Sequence, residues 1–581
     1  MRGKGCILKG WALALSLLLW QTERLSAEDR RVRGVLQSEA HYASKTTNSY
    51  RLHSNSYLNL WAEGRGLSAA ARLEHMPRPL PGLEGGAGWG LAYWQLMSSL
   101  GWAEVSLGDS YDQLGSGLLL RTYEDRLLGI DNSLRGLHLR LTPIEGLQIK
   151  ASAGQQRNHF DRGHWGLLNR HRGFVVAGDV SLSLSEWISP LSQRGWRADF
   201  GLSLVVKSET DLSDVHLIQR MGEGRTILRL VAPRQVPAWS GRMLLQRGAW
   251  EVNGEFAYKW ADPNRLNNYI FSSGSVAMLM TSYSSRGFSF MLGARRSENF
   301  DFRSQRSAGQ LDLRINHLIP FTQQQSYTLS ALRPYATQAW GEWAMQAELR
   351  YTIPRGTALG GRYGTQLRLS ASHINALRIA DRSELSPLSV LRGQTSKEQL
   401  YGSDGAVYSF LGFGEKYFHD ITLEASRKLS RSYAATLSYT HQAYNQEVIE
   451  GHSDTPGLIR SHIFVYEGKH KLGAKTSLRT ELQYLHEESF DPSKVSDKDR
   501  GHWLYAALEL GLSPRWIISL SDQWASHSDQ HYYQLSVAHS YKAHRLQLGW
   551  GRTRAGINCS GGVCRYVPET FGLNLSLLLS L

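Results

Sequence analysis

Four groups of residues in this chain have the types and spacings that chemistry would need. The stretch GDSYDQLGSGLLLRTYEDRLLGIDNSLRG at 108–136 sets Asp109, Tyr111, Arg121, Glu124, Arg126, Asp131 and Arg135 among glycines. Glycines permit tight bends, and opposed carboxylates and guanidinium groups pair across a narrow space. The stretch reads either as a constriction or ligand-contacting inner wall, or as a charge network that stiffens a hollow structure. Adjacent carboxylates such as Glu124 and Asp125 do not by themselves make a general acid/base site. His159, Asp161, His164 and His171 have a spacing that a divalent metal could use, but the arginines between Arg157 and Arg172 would repel one, which favours a solvated basic loop. Asp491, Asp497 and Asp499 lack the glycine and glutamate of a calcium-binding EF-hand loop. No G-x-S-x-G, H-E-x-x-H or phosphate-loop pattern occurs beyond residue 27. The expectation is a protein that is not an enzyme and has no metal or cofactor.

The fourth group is Cys559 and Cys564, the two cysteines left once an N-terminal leader is set aside. Arg2, Lys4 and Lys9 precede the apolar run WALALSLLLW, and small residues close it at Ala27. Ten apolar residues at about 1.5 Å each reach roughly 15 Å, half of a bilayer core, so residues 1–27 read as a cleaved signal peptide rather than an anchor. Export implies an oxidising compartment, where an even cysteine pair reads as a disulfide. Its ring of about six residues contributes roughly 2 kcal/mol by loop entropy. A two-cysteine metal or redox pair is the alternative.

The elements that would position these residues are strands. Near the C-terminus Phe571, Leu573, Leu575, Leu577, Leu579 and Leu581 alternate with Gly572, Asn574, Ser576 and Ser580. The same period recurs at Leu546–Trp550, Tyr533–Val537, Trp516–Leu520, Tyr433–Tyr439 and Trp343–Ile353, in runs of about ten residues, enough to cross a bilayer as tilted strands. Polar positions between the apolar ones place Glu348, Arg350, Arg368, Arg479 and Glu481 inward, with Glu424, Glu467, Lys469 and Glu509. Connections counted back from the C-terminus alternate: 555–568 long, 541–544 short, 526–530 intermediate, 512–515 short, 487–501 long, 471–475 short, 445–460 long, 428–431 short, 374–417 very long and 354–356 short. The N-terminal half alternates less cleanly, and its first candidate strand is near Tyr57. These patterns predict residues 28–581 to be one all-β, antiparallel, up-and-down transmembrane barrel of about 18 strands, within a range of roughly 14–22.

Composition agrees. No run of eighteen apolar residues follows residue 27, which excludes a helical membrane protein, and a mean hydropathy of -0.35 is compatible with a barrel whose loops and lumen are polar. The 18 Trp and 26 Tyr suit membrane interfaces. Of the +14 formal charge the leader carries +3, and the remaining +11 suits phosphate-rich lipid headgroups; no nucleic-acid motif is present.

The segment from Asp109, together with RPYATQ (333–338), GGRYGT (360–365) and CSGGVCRYVP (559–568), resembles a family of uncharacterised Gram-negative outer-membrane β-barrel proteins. That resemblance implies a location in the cell outer membrane and a fold, and no activity. The expected function is a passive, porin-like channel for small hydrophilic solutes; the alternative is a non-conducting scaffold of an outer-membrane assembly, secretion or uptake complex. Expected partners are outer-membrane lipids and lipopolysaccharide, the barrel-assembly machinery during insertion and other outer-membrane proteins, with no nucleic acid.

Overall fold

The computed structural model describes residues 31–44, 51–64, 66–83, 86–159, 161, 169, 171, 173–209, 216–221, 224–229, 232–267, 269–309, 311–381, 407–451, 457–488, 490 and 500–580. The leader, His164, the acidic loop around Asp491 and Leu581 lie outside them.

Among the described residues, 24 strands form one closed antiparallel sheet in which each strand pairs with its sequence neighbours. Closure joins the first strand, Arg31–Ala43, to the last, Thr570–Ser580, with Ala40 opposite Leu575 and Val35 opposite Ser580. A closed sheet leaves no backbone edge, a requirement for strands in hydrocarbon. Connections at the end holding Ser580 are mostly short, as at 100–102, 145–146, 248–249, 286–287 and 542–543. At the opposite, loop end they include 111–133, 260–273, 299–340 and 554–569.

The expectation of about 18 strands is therefore corrected to 24. The strand Arg31–Ala43 escapes the pattern because small Ser38 and Ala40 occupy its outward positions. Two expected strands are not in the wall: Ile227 belongs to a separate loop hairpin, Gly224–Arg229, and Leu311 to Ile315 lies in a lumenal segment. The long connection expected from Ile374 to Tyr417 is partly strand, since Thr365–Asp381 and Val407–Lys428 continue into it through successive register shifts that break the two-residue period.

Outward positions carry an apolar band. Leu202, Leu279, Leu437, Leu482, Leu508, Leu535, Leu548 and Leu575 are all exposed. Tryptophans border it, with Trp61, Trp102, Trp250 and Trp516 near the short-turn end and Trp89, Trp239, Trp260 and Trp550 near the loop end. Trp250 and Trp260 bracket one strand; ten residues at about 3.3 Å, tilted by about 40°, give roughly 25 Å, the height of the apolar band of a membrane barrel.

The inward face differs around the circumference. Val175, Ala177, Val205, Val236, Ala238, Ala257 and Val276 are buried inward residues packed against Leu114, Leu118, Leu119, Leu120, Phe300, Phe302, Ile315 and Leu318. Those partners come from the connections 111–133 and 299–340, which fold into the barrel. Strands beneath them are apolar on both faces, which is why the N-terminal half alternates poorly.

Candidate functional site

The inward-folded connections make a layer across the lumen at the loop end, built from residues spread along most of the chain. Its first part is 111–133. Gly115 and Gly117 have φ of +54° and +93°, which turns the backbone sharply. A Cβ on Gly115 would lie 2.9 Å from both carboxylate oxygens of Glu255 in the wall, so any larger residue would have to displace that side chain. Ser116 then donates its N–H to Glu255 at 2.9 Å, and its hydroxyl binds the same carboxylate. The tip seats Leu118, Leu119 and Leu120, each fully buried, contributing about 1.5–3 kcal/mol apiece before ordering entropy is counted.

Ion pairs hold this part to the wall. Arg72 on strand Leu67–Arg78 donates to Glu124 at 2.7 Å, Asp131 at 3.2 Å and Asn59 at 2.8 Å. Arg157 pairs with Asp131 and, at 2.6 Å, with Glu74. Tyr111 donates its hydroxyl to Asp131 at 2.9 Å. Arg126 binds Glu124 and Gln37, both at 2.6 Å, and lies 4.0 Å over the ring of Tyr57. Asp109 and Arg135, opposite each other in adjacent strands, form a fully buried pair at 2.7 Å. Burial alone would raise the Asp131 carboxyl, but Arg157 and Arg72 outweigh it and hold the group below the usual carboxylate range.

The second part, 299–340, runs from strand Trp196–Glu209, where Arg306 pairs with Glu209 at 3.4 Å, to strand Thr476–Glu487, ten strands farther round the sheet. Phe321 and Tyr335 pack with Met278, Ala344, Ile374 and Phe418, while Leu329 and Leu332 pack with Ile463, Val465, Leu485 and Trp503. The RPYATQ stretch carries the tethers. Arg333 donates to Ser461 at 2.8 Å and to Glu487 at 2.7 Å; Glu487 also binds Arg500 and accepts the Gly501 N–H at 2.9 Å. Tyr335 donates its hydroxyl to Glu342, which also takes the Gln338 N–H at 2.8 Å and pairs with Arg295. Gln323 meets Ser370, and Gln325 reaches Asp420 at 3.3 Å. Within the segment, burial raises but Arg303 and Arg314 lower the Asp301 carboxyl, to about 2. Burial, reinforced by Arg121, Arg314 and Arg295, pushes His317 down to about 3.

The third part is the disulfide hairpin, Gly556–Ser560 paired with Val563–Val567, with Cys559 bonded to Cys564. Its tip points into the layer: Gly562 accepts the Thr337 N–H at 3.0 Å, buried Val563 packs on Leu128 and Ile130, and Arg565 donates to the Leu128 carbonyl at 3.1 Å.

The residues singled out from the sequence thus fall into three groups. Asp109, Tyr111, Glu124, Arg126, Asp131 and Arg135 join one network, while Arg121 lies 4.7 Å over Tyr123. Glu348 pairs with Arg350 at 2.6 Å and Arg368 at 2.7 Å. Arg479 pairs with Glu467 at 2.7 Å and with Glu481. The last two groups sit on strands across the lumen from the first; Arg350 is 59% exposed and Lys469 is exposed too, so charged side chains line that side toward the short-turn end, while Glu467 and Glu481 are buried behind them. Sequence reasoning missed Arg72, Glu74, Arg157, Arg295, Glu342, Arg333 and Glu487, whose partners are far away in the chain. His159 is buried, and His171 pairs with Asp161.

The family described as "Family of unknown function (DUF6029)" matches residues 5–581. No curated protein matches the sequence. Among solved structures, the siderophore receptor PirA from Pseudomonas aeruginosa is similar at 11% identity, with 95% of this chain and 80% of that chain covered and a TM-score of 0.40. The P pilus usher (PapC) translocation pore gives 10%, 94%, 98% and 0.39 for the same four quantities. A BenF-like porin from Pseudomonas fluorescens Pf-5 gives 9%, 85%, 98% and 0.31. At these values the likeness says nothing about what this chain binds or carries.

Proposed function

Because the chain belongs to this family of unknown function, its role has to be read from its own geometry, and we propose that it is an outer-membrane conduit held shut at its loop end by a layer of its own chain. The observation that carries this reading is that 299–340 is tied by Arg306 to Glu209 and by Arg333 to Glu487, on strands ten apart in a wall of 24, while 111–133 is tied by Ser116 to Glu255 and by Arg126 to Gln37, also ten apart. Outer-membrane placement is supported by the closed sheet and the outward apolar band of bilayer height. With short turns facing the periplasm, the vestibule of Glu348, Arg350, Arg368 and Arg479, with Glu481 buried behind Arg479, opens inward to the cell and suits hydrophilic solutes. Lipid, lipopolysaccharide and the barrel-assembly machinery are the partners such a location requires, and transport rather than catalysis is the role.

This differs from a passive porin in its resting state. A wide barrel of 24 strands without a layer would leave an aqueous channel. Here buried apolar side chains and ion pairs occupy the loop end, so conduction requires their release. Single-channel recording of the purified chain in planar bilayers tests the reading. The wild type is expected to be closed with rare openings, and replacement of residues 319–337 by a Gly/Ser linker to give a large, steady conductance. A wild type that conducts steadily would restore the passive channel. A folded linker variant that stays shut would favour the scaffold.

A further inference from the structure

Six consecutive strands or strand ends each place one histidine on the outward face near the loop end: His373, His419, His441, His462, His486 and His502. Their outward facing follows from parity with the exposed Leu369, Leu423, Leu437, Phe464, Leu482 and Leu504 on the same strands. His373 is directly opposite His419, His441 opposite His462, and His462 opposite His486. Ring centroids along the row are separated by 5.3, 6.1, 5.1, 6.3 and 4.8 Å. Elsewhere around the barrel this level is occupied by tryptophan and tyrosine, which need only be half dry and half wet. Imidazoles can do that too, but they also offer lone pairs to a metal.

We propose that His441, His462 and Glu488 form a binding site for a divalent transition-metal ion on the outer rim of the barrel. One ligand atom from each lies within 4.8 Å of the others. Two imidazoles and a carboxylate are a ligand set that zinc uses with a position left open to water, and imidazole selects zinc, copper or nickel over calcium or magnesium. His462 is already oriented: its Nδ1 is 2.8 Å from the Tyr439 hydroxyl, and its Nε2 is 2.7 Å from Glu488 Oε1. In the ion-free state Nε2 donates to the carboxylate; an entering ion would replace that proton, the remaining one on Nδ1 being given to Tyr439, the arrangement by which outer partners fix a ligand's tautomer. Glu488 follows the end of strand Thr476–Glu487 and is anchored by its backbone N–H on the Arg460 carbonyl at 2.9 Å, so it reaches over the row from the rim. Lys416 and Arg460 are the nearby cations, and the carboxylate offsets their repulsion of an incoming ion. His419 and His486 flank the pair on either side and extend the imidazole surface along the rim. The site is independent of whether the lumen opens.

The test is zinc titration of the full-length, metal-stripped protein in detergent micelles by calorimetry, with copper(II) paramagnetic resonance as a second readout. One saturable site per chain is expected, with nitrogen hyperfine splitting from two imidazoles. His441→Ala and His462→Ala should each abolish it, and Tyr439→Phe should weaken it by about tenfold or more. His539→Ala, an outward histidine beside Trp516 at the other end of the barrel, should leave it unchanged. Each variant's fold is checked by its heat-dependent gel mobility, and His441→Gln with His462→Gln keeps side-chain volume should alanine impair insertion. Absence of saturable binding, or binding that survives loss of both histidines, would overturn the proposal.

Discussion

Replacing Arg333 by alanine should loosen the closing layer without unfolding the barrel. Arg333 is 4% exposed and ties the layer to two strands through Ser461 and Glu487. Its removal does not strand the carboxylate, because Glu487 keeps Arg500 and the Gly501 N–H. The loss is one charge-assisted bond, about 1.5–3 kcal/mol, and one hydroxyl bond, about 0.5–1.5 kcal/mol, so roughly 2–4.5 kcal/mol in all. At about 1.4 kcal/mol per factor of ten, the population of layers detached at this point rises from about 30-fold to more than 1000-fold. Tyr335→Phe removes a second tether, the hydroxyl bond to Glu342, for about 1.5–3 kcal/mol more. Osmotic swelling of proteoliposomes in a sugar series reads the result. Arg333→Ala should admit sugars that the wild type excludes, and the double variant should admit larger ones faster. Folded variants that swell no faster than the wild type would show that these bonds do not hold the layer shut.

The apolar band predicts a facing asymmetry: Arg at Leu437, Leu535 or Leu575 should cost about 2–4 kcal/mol near the midplane and reduce the heat-resistant folded band, while Arg at Thr436, Ser536 or Ser576 should be tolerated. Closure should also weaken in mild acid. His317 is pushed down to about 3 from an ordinary value near 6.5, so its contribution is full above about pH 6.5 and is lost as the pH falls toward 3; at pH 5 the loss is about 2 kcal/mol. Asp301, held at about 2, loses its contribution only between about pH 4 and 2, while His159, pushed down to about 4 by burial and by Arg157, also loses its own below about pH 6.5, so open probability should rise between pH 6.5 and 5 in the wild type and rise less in His317→Gln. Cys559→Ser with Cys564→Ser should leave the barrel folded but raise the frequency of brief openings in bilayer recordings, since the hairpin tip carries the Gly562 bond to Thr337 and Val563.

How much of this was legible depended on what each strand faces. Strands such as Thr476–Glu487 and Trp503–Leu512 present leucine outward and the charged Arg479, Glu481 and Glu509 inward, so a period of two reads directly from the residues. Gly173–Ser183 and Gln235–Arg247 bury Val175, Ala177, Val236 and Ala238 inward under the layer, and the period fades because both faces are apolar. The Asp109 to Arg135 stretch announced its charges, but not that Arg72, Glu74 and Arg157 complete the network, because pairing between distant strands leaves no local trace. The RPYATQ and CSGGVC stretches stood out as unusual, and their convergence in one layer depends on how far 299–340 reaches across the lumen. The histidine row was present at the same rim level in six strands, and only the cross-strand register aligns it.

The position of the layer can be measured directly by cysteines at Gln323 and Ser370, whose side chains meet where the crossing segment touches the wall. In isolated outer membranes, a short thiol-to-thiol cross-linker should join Gln323→Cys to Ser370→Cys, shifting the mobility of a protease-cut chain. It should not join Gln323→Cys to Ser536→Cys, a lumenal position on a distant strand. Efficient joining of the first pair places the segment inside the barrel against its wall in the membrane. A folded barrel in which that pair never joins, or joins no more than the distant pair, would contradict closure by the chain's own loops.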